Sequence, residues 1–139
     1  EGIEEMAIDM LTKHGIHPER DIENFIDVST GSLGLGITIA TGLALANPNI
    51  NVFCMISDGE CAEGSIWESL RFIREYNISN LYIHVNMNGW SAYKPIDIDI
   101  LSKQLLAFIP DINIHYTNNN DVIKFNTQLE AHYINANLI

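Results

Sequence analysis

The stretch NVFCMISDGECAEGSIWESL, residues 51–70, decides how the rest of the chain is read. Asn51 to Ser57 is an apolar run of strand length with β-branched and aromatic content. It breaks off at Ser57-Asp58-Gly59. Ser65-Ile66-Trp67-Glu68 then has the S-x-x-E form of a capping box, which predicts a helix from there to about Tyr76. A buried strand that ends on a bare carboxylate and turns at once toward a helix suggests a sheet edge with work to do.

Downstream, Asn80–Asn86 (NLYIHVN) reads as a second strand and residues 87–97 as a loop. A helix is expected from about Asp97 to Phe108, stopped near Pro110, then a third strand over 111–116 (DINIHY). Asn118-Asn119-Asn120 turns the chain into a last helix, to about Ala136. Upstream, STGSLGLGITIATGLALANPN is apolar and punctuated by Gly31, Gly34, Gly36 and Gly42. Its length and the spacing of Ile37, Ala40, Thr41, Ala44 and Leu45 favour a buried helix, ended by Asn47-Pro48-Asn49. Ile3, Met6, Ala7, Met10 and Leu11 predict one apolar face of a first helix, with Gly15 as its stop. Residues 15–31 read as irregular. Strands separated by helix-length crossovers are parallel, and the crossovers are right-handed. The expected fold is therefore α/β, a three-layer α/β/α arrangement around a mainly parallel sheet, in one domain over 1–139.

The chain of 139 residues carries 18 acids against 7 Lys and Arg, a net charge of -11. So acidic a surface, with no basic stripe, repels phosphate backbones, and nucleic acid is not an expected partner. Solubility is the plain reading of the acidity. No apolar run reaches the ~20 residues of a membrane span, and no signal-peptide pattern is visible. Cys54 and Cys61 form no CxxC pair and have no His cluster beside them. They are expected to be reduced thiols of a cytoplasmic protein. The first residue is Glu1, so residues upstream of it are expected.

In an open parallel sheet, ligands collect at the carboxyl ends of the strands. The first strand ends at Asp58-Gly59 and the second at Asn86-Met87-Asn88-Gly89. If the two strands are neighbours, Asp58 and Asn88 converge. A carboxylate and an amide oxygen are hard ligands suited to Mg2+ or Ca2+. Gly59 and Gly89 let a ligand approach the backbone. The helix opening near Ser65 would aim its free N–H groups at the same edge, where they favour a diphosphate. The same residues are also ordinary turn formers at strand ends. The P-loop pattern GxxxxGK[ST] is absent, and Gly31-Ser32-Leu33-Gly34-Leu35-Gly36 is not G-x-G-x-x-G.

"HPE" at 17–19, "STGSLGLGITIATGLALA", "SDGECAEGSIWESL" and "NLYIHVNMNGW" occur in that order, with Asp58 and Asn88 thirty residues apart. Together they resemble the N-terminal, diphosphate-binding domain of transketolase and related thiamine diphosphate enzymes, over about residues 15–90. The resemblance implies that Asp58, the side chain of Asn88 and the carbonyl of Trp90 bind Mg2+. It implies that Gly59 contacts the diphosphate through its backbone, and that Gly31 and Leu33 line the cleft near the cofactor's rings. His17 matches a histidine facing the donor sugar, and Glu63 an acid at the interface between paired active sites. Outside the resemblance, His17 is an ordinary loop residue and Glu63 favours a helix N-terminus by its charge. Trp67 and Phe72 read as packing, and His84 as a satisfied sheet residue. His14, His115 and His132 show no constellation.

The sequence departs from the family at Ser57, where the first glycine of G-D-G is expected, at Met87, which replaces an Asn, and at Leu35, where many relatives are polar. Two diphosphate-binding histidines of the family have no convincing match. The activity implied is transfer of a two-carbon ketol unit from a ketose to an aldose, with sugar or sugar phosphate substrates. Thiamine diphosphate supplies that chemistry through its thiazolium carbon. The pyrimidine-binding domain would come from a partner chain or a missing segment, in a homodimer or heterotetramer. This chain would be the N-terminal subunit of a split transketolase, or a fragment, inactive alone. Two other readings stay open: a degenerate, non-catalytic interaction module of the same fold, and another thiamine diphosphate-dependent lyase or decarboxylase.

Overall fold

The computed structural model describes residues 2–15, 17–24, 26–91 and 94–117. Along the chain, helix α1 (Gly2–His14) leads to a short 3-10 turn (Ile22–Asn24) and helix α2 (Leu35–Ala46). Strand β1 (Val52–Ser57), a 3-10 turn (Gly59–Ala62) and helix α3 (Gly64–Glu75) follow. Strand β2 (Leu81–Met87), helix α4 (Ile98–Phe108) and strand β3 (Asn113–Tyr116) complete the order. Every element expected up to residue 117 is present within a residue or two of its expected bounds. The last expected helix, to Ala136, lies outside the described residues.

The sheet is parallel throughout, in the order β1-β2-β3. β1 pairs with β2 from Val52↔Leu81 to Ser57↔Asn86, so the two strands end side by side. This is the α/β fold with a parallel sheet and flanking helices that the alternation of elements predicts. α3 and α4 share one core and touch through Trp67 and Phe108, as successive crossovers of one hand require. In that core, Cys54, Ile56, Ile83, Val85 and Met87 meet Ile37 of α2, Ile66 and Leu70 of α3, and Leu105 of α4. On the other face, Phe53 and Met55 are 67% and 66% exposed, and Phe53 stacks on Tyr82. Among the described residues β1 is thus buried on one face only.

α2 reaches β1 closely because its inward positions are small. Ala40, Thr41 and Ala44 are buried, and the Thr41 hydroxyl donates to the Ile37 carbonyl at 2.7 Å, which satisfies it in the core. Leu45, grouped with them by spacing, turns out exposed. The Asn80 side-chain amide lies within 3.0 Å of the carbonyls of Ala44, Asn47 and Ile50, fastening the end of α2 to the start of β2. Asp97 caps α4, accepting from the Ile100 N–H at 3.0 Å. α1 forms as its periodicity predicts, but Met6 on the expected apolar face is 60% exposed. Trp67 and Phe72 pack against the core as expected. No described helix is long and apolar enough to cross a membrane.

Candidate functional site

Asp58 is the first residue beyond β1. Its side chain is buried, at 1% exposure. A buried carboxylate is costly unless its oxygens are satisfied. Here Oδ1 accepts from the Gly59 N–H at 2.9 Å, and Oδ2 accepts from the N–H groups of Asn88 and Gly89 at 2.9 and 2.7 Å. The Asp58 side chain thus meets the backbone of Asn88, an approach made by the parallel pairing of β1 with β2. A carboxylate has about four lone-pair positions. Among the described residues three are used.

The loop after β2 brings the next oxygens. Gly89 takes a left-handed φ of 81°, and the Asn88 Oδ1 accepts from the Trp90 N–H at 2.8 Å. Trp90 bridges to Pro95, and the Ile96 N–H donates back to the Gly89 carbonyl at 2.9 Å, closing the loop. The Trp90 carbonyl thereby lies over Gly59. A Cβ at Gly59 would come within 3.4 Å of the Ser91 Cα and 3.7 Å of the Trp90 oxygen. The oxygens nearby, the Asp58 carboxylate, the Asn88 side-chain amide and the Trp90 carbonyl, are all hard donors of the type that suits Mg2+. Among the described residues no group of three or more His, Cys, Asp or Glu side chains could hold a metal. Any cation here relies on mixed oxygen donors. A cavity of about 210 Å3 opens beside this point, lined by Asp58, Cys61, Ser91, Lys94 and Leu101 among others. A cavity of about 240 Å3 at the far end of β2, between Arg74, Leu81 and Asp111, touches none of the residues singled out by sequence.

The glycine-rich segment packs against the turn after β1 and the start of α3, through Gly34 against Glu60, Glu63 and Ser65. The His17 ring lies on Gly31, where a Cβ would meet Nδ1 at 3.2 Å, and the Thr30 N–H donates to the Pro18 carbonyl at 3.1 Å. The HPE segment and the glycine-rich segment are thus one unit. Leu33 is 52% exposed. Gly34 has φ 77° at the start of α2, and a Cβ there would meet Ser65 Oγ at 2.2 Å and Glu63 Cβ at 3.1 Å. Glu63 is exposed at the N-cap of α3 and makes no side-chain capping bond.

One expectation is corrected. Ser65 and Glu68 do not form a capping box, because α3 already begins at Gly64 and Ser65 lies inside it. The reciprocal bonds occur one motif earlier. The Glu60 N–H donates to Ser57 Oγ at 3.2 Å, and Glu60 Oε2 accepts from the Ser57 N–H at 3.0 Å. The second oxygen, Oε1, accepts from the Gly34 N–H at 2.9 Å, across 26 residues. Sequence reasoning passed over Glu60. The signal was the S-x-x-E pattern at Ser57, the same one read at Ser65. Sequence reasoning also missed that His84 and His115 meet, with Nδ1 and Nε2 2.9 Å apart on the exposed sheet face.

Both cysteines are free and buried. Burial pushes the Cys61 thiol up to about 12, with Asp58 and Glu60 adding to it, and pushes Cys54 up to about 11. At pH 8 the native Cys61 thiol should therefore react with iodoacetamide about a thousandfold slower than in urea, and Cys54 about a hundredfold slower. Equal rates in the two conditions would contradict the burial. The linkage has a definite sign. The folded state keeps these protons longer than the unfolded chain, so this contribution to stability is complete below pH 9 and is lost as pH rises toward 11–12.

The fold and site define a class. The family model "Thiamine pyrophosphate enzyme, C-terminal TPP binding domain" matches residues 9–95, and the chain belongs to that family. Its relatives include transketolase-like proteins and transketolases. The chain is 42% identical over 81 residues to transketolase-like protein 2 of Mus musculus, covering 53% of this chain and 13% of that protein. It is 39% identical over 94 residues to transketolase-like protein 1 of Macaca fascicularis, covering 61% and 16%. It is 38% identical over 93 residues to transketolase of Homo sapiens, covering 60% and 15%. The chain thus spans a small part of these relatives' length. The family model describes a C-terminal domain, whereas the resemblance read from the sequence implied an N-terminal one. Common to both is a TPP-binding domain of transketolase-like proteins.

Proposed function

We propose that this chain is the Mg2+ and diphosphate-binding part of a transketolase-like enzyme, standing at the N-terminal end of the complete catalytic unit. The observation that carries the reading is the buried Asp58 at the end of β1, its carboxylate held by the backbone N–H groups of Gly59, Asn88 and Gly89. In this reading Asp58, the Asn88 side chain and the Trp90 carbonyl hold Mg2+. Gly59 lets the diphosphate approach the backbone, and Gly31 and Leu33 line the wall for the rings. His17, braced on Gly31, faces the sugar. Glu63, exposed at the start of α3, reaches a second copy or partner chain. Bound there, thiamine diphosphate supplies the electron sink that lets a two-carbon ketol unit pass from a ketose to an aldose. Asp58 and its neighbours fix the charge and position of the diphosphate end. The pyrimidine-binding domain comes from a partner chain or another segment, in a homodimer or heterotetramer. The setting is cytoplasmic, with both thiols reduced.

A degenerate module of the same fold is the second reading. It is favoured by Ser57 and Met87 in place of family residues, and by the bond that already engages Asn88 Oδ1. The test is reconstitution. The full chain alone should transfer no ketol units. Mixed with the pyrimidine-binding domain of a transketolase, thiamine diphosphate and Mg2+, it should transfer them, read as the lengthened aldose. Transfer by the chain alone would sink the proposal, and no transfer with the added domain would favour the degenerate module.

A further inference from the structure

Glu60 lies outside the metal and diphosphate assignment, yet its carboxylate joins the end of β1 to the glycine-rich segment that opens α2. Oε2 and the Glu60 N–H engage Ser57 at the end of β1, while Oε1 takes the Gly34 N–H at the start of α2. α2 has no side-chain cap of its own. Gly34 can turn its N–H toward Glu60 only through the left-handed φ of 77° that a glycine tolerates. The Ser57 hydroxyl is what the Glu60 N–H donates to, and a glycine at 57, the residue the G-D-G pattern calls for, offers no such acceptor.

We infer that Ser57 and Glu60 are positioning residues: together they form a brace that sets the gap between the glycine-rich wall and the Asp58 turn, and so the affinity for a Mg2+-bound diphosphate. This rests on the cofactor reading above. A cofactor whose diphosphate sits at the Asp58 turn and whose rings rest on the glycine-rich segment needs the two at a fixed separation, and an ångström of misplacement is costly. Each carboxylate oxygen of Glu60 serves one backbone N–H, and bonds to a charged acceptor are the stronger kind. A glutamine has one acceptor oxygen, so it can keep only one of the two and must turn an N–H toward the other. Ser57 therefore gains a purpose that its departure from the family pattern does not suggest.

The experiment is a cycle of Ser57→Gly, Glu60→Gln and the double variant in the full chain. Binding of thiamine diphosphate in Mg2+ is titrated by calorimetry, and amide hydrogen exchange is read by NMR. Glu60→Gln should weaken binding about tenfold or more, and Ser57→Gly by about threefold or more. The double variant should be hardly weaker than Glu60→Gln, since coupled partners are not additive. Exchange should quicken at the Gly34 amide in Glu60→Gln, while the core amides of Leu70 and Val85 keep their protection. A general loss of stability would quicken all of them. Wild-type affinity in Glu60→Gln, additive losses, or weakened binding with unchanged exchange at Gly34 would each overturn the brace. No binding by the wild type would overturn the cofactor reading instead, and the positioning role with it. If Glu60→Gln does not fold, Ser57→Gly decides by the same two readouts.

Discussion

Asp58→Ala should abolish Mg2+-dependent diphosphate binding and lower the stability of the chain by about 3 kcal/mol or more. Both effects come from one side chain. Alanine removes the candidate anionic ligand at the strand edge. It also leaves the N–H groups of Gly59, Asn88 and Gly89 without the acceptor they share. Each buried donor left unsatisfied costs about 1–3 kcal/mol, part of which water recovers where the site is open. Asp58→Asn separates the two effects. Its single oxygen keeps some of the bonds and the shape, so stability should fall less, while metal binding should still fail for lack of charge. Chemical denaturation and titration of both variants check this. A stable Asp58→Ala chain would mean the three bonds contribute nothing. An Asp58→Asn chain that binds Mg2+ normally would remove Asp58 from the ligand set.

Gly34→Ala should destabilise by about 2–3 kcal/mol. The left-handed conformation costs a non-glycine residue about 1–2 kcal/mol. The new Cβ would also fall 2.2 Å from Ser65 Oγ and 3.1 Å from Glu63 Cβ. The serine hydroxyl can rotate away, but the Glu63 Cβ moves only with the start of α3, so the strain spreads into the opening of that helix. Gly36→Ala is the matched control. No heavy atom lies within 4 Å of its Cβ position, and it sits inside α2, where alanine is the better helix former. It should be neutral or slightly stabilising. Equal effects at 34 and 36 would contradict the close approach of the glycine-rich turn to α3.

The parts legible in the sequence are those set by local pattern and then multiplied by topology. The runs at 51–57 and 80–86 are apolar and bounded by turn residues, so the strands were visible. Parallel pairing of successive strands then places Asp58 beside Asn88. What stayed hidden depends on distant partners. Ser57…Glu60 and Ser65…Glu68 have the same S-x-x-E spacing, and nothing local tells them apart. The Gly34 N–H, 26 residues away, supplies the third bond that holds Glu60 in place. His84 and His115 meet diagonally across β2 and β3, a contact that appears only once the register pairs His84 with Asn113. In α1 the periodicity of the helix was real, but a periodic face says nothing about whether a partner covers it, and Met6 stays exposed.

The central claim is that the carboxyl edge of β1 and β2 binds a Mg2+-bound diphosphate. Calorimetric titration of the full chain with thiamine diphosphate, in Mg2+ and again in EDTA, tests it most directly. Saturable heat in Mg2+ that disappears in EDTA and in Asp58→Asn is the predicted result. Equal heat with and without the metal, or no heat in either, would contradict it.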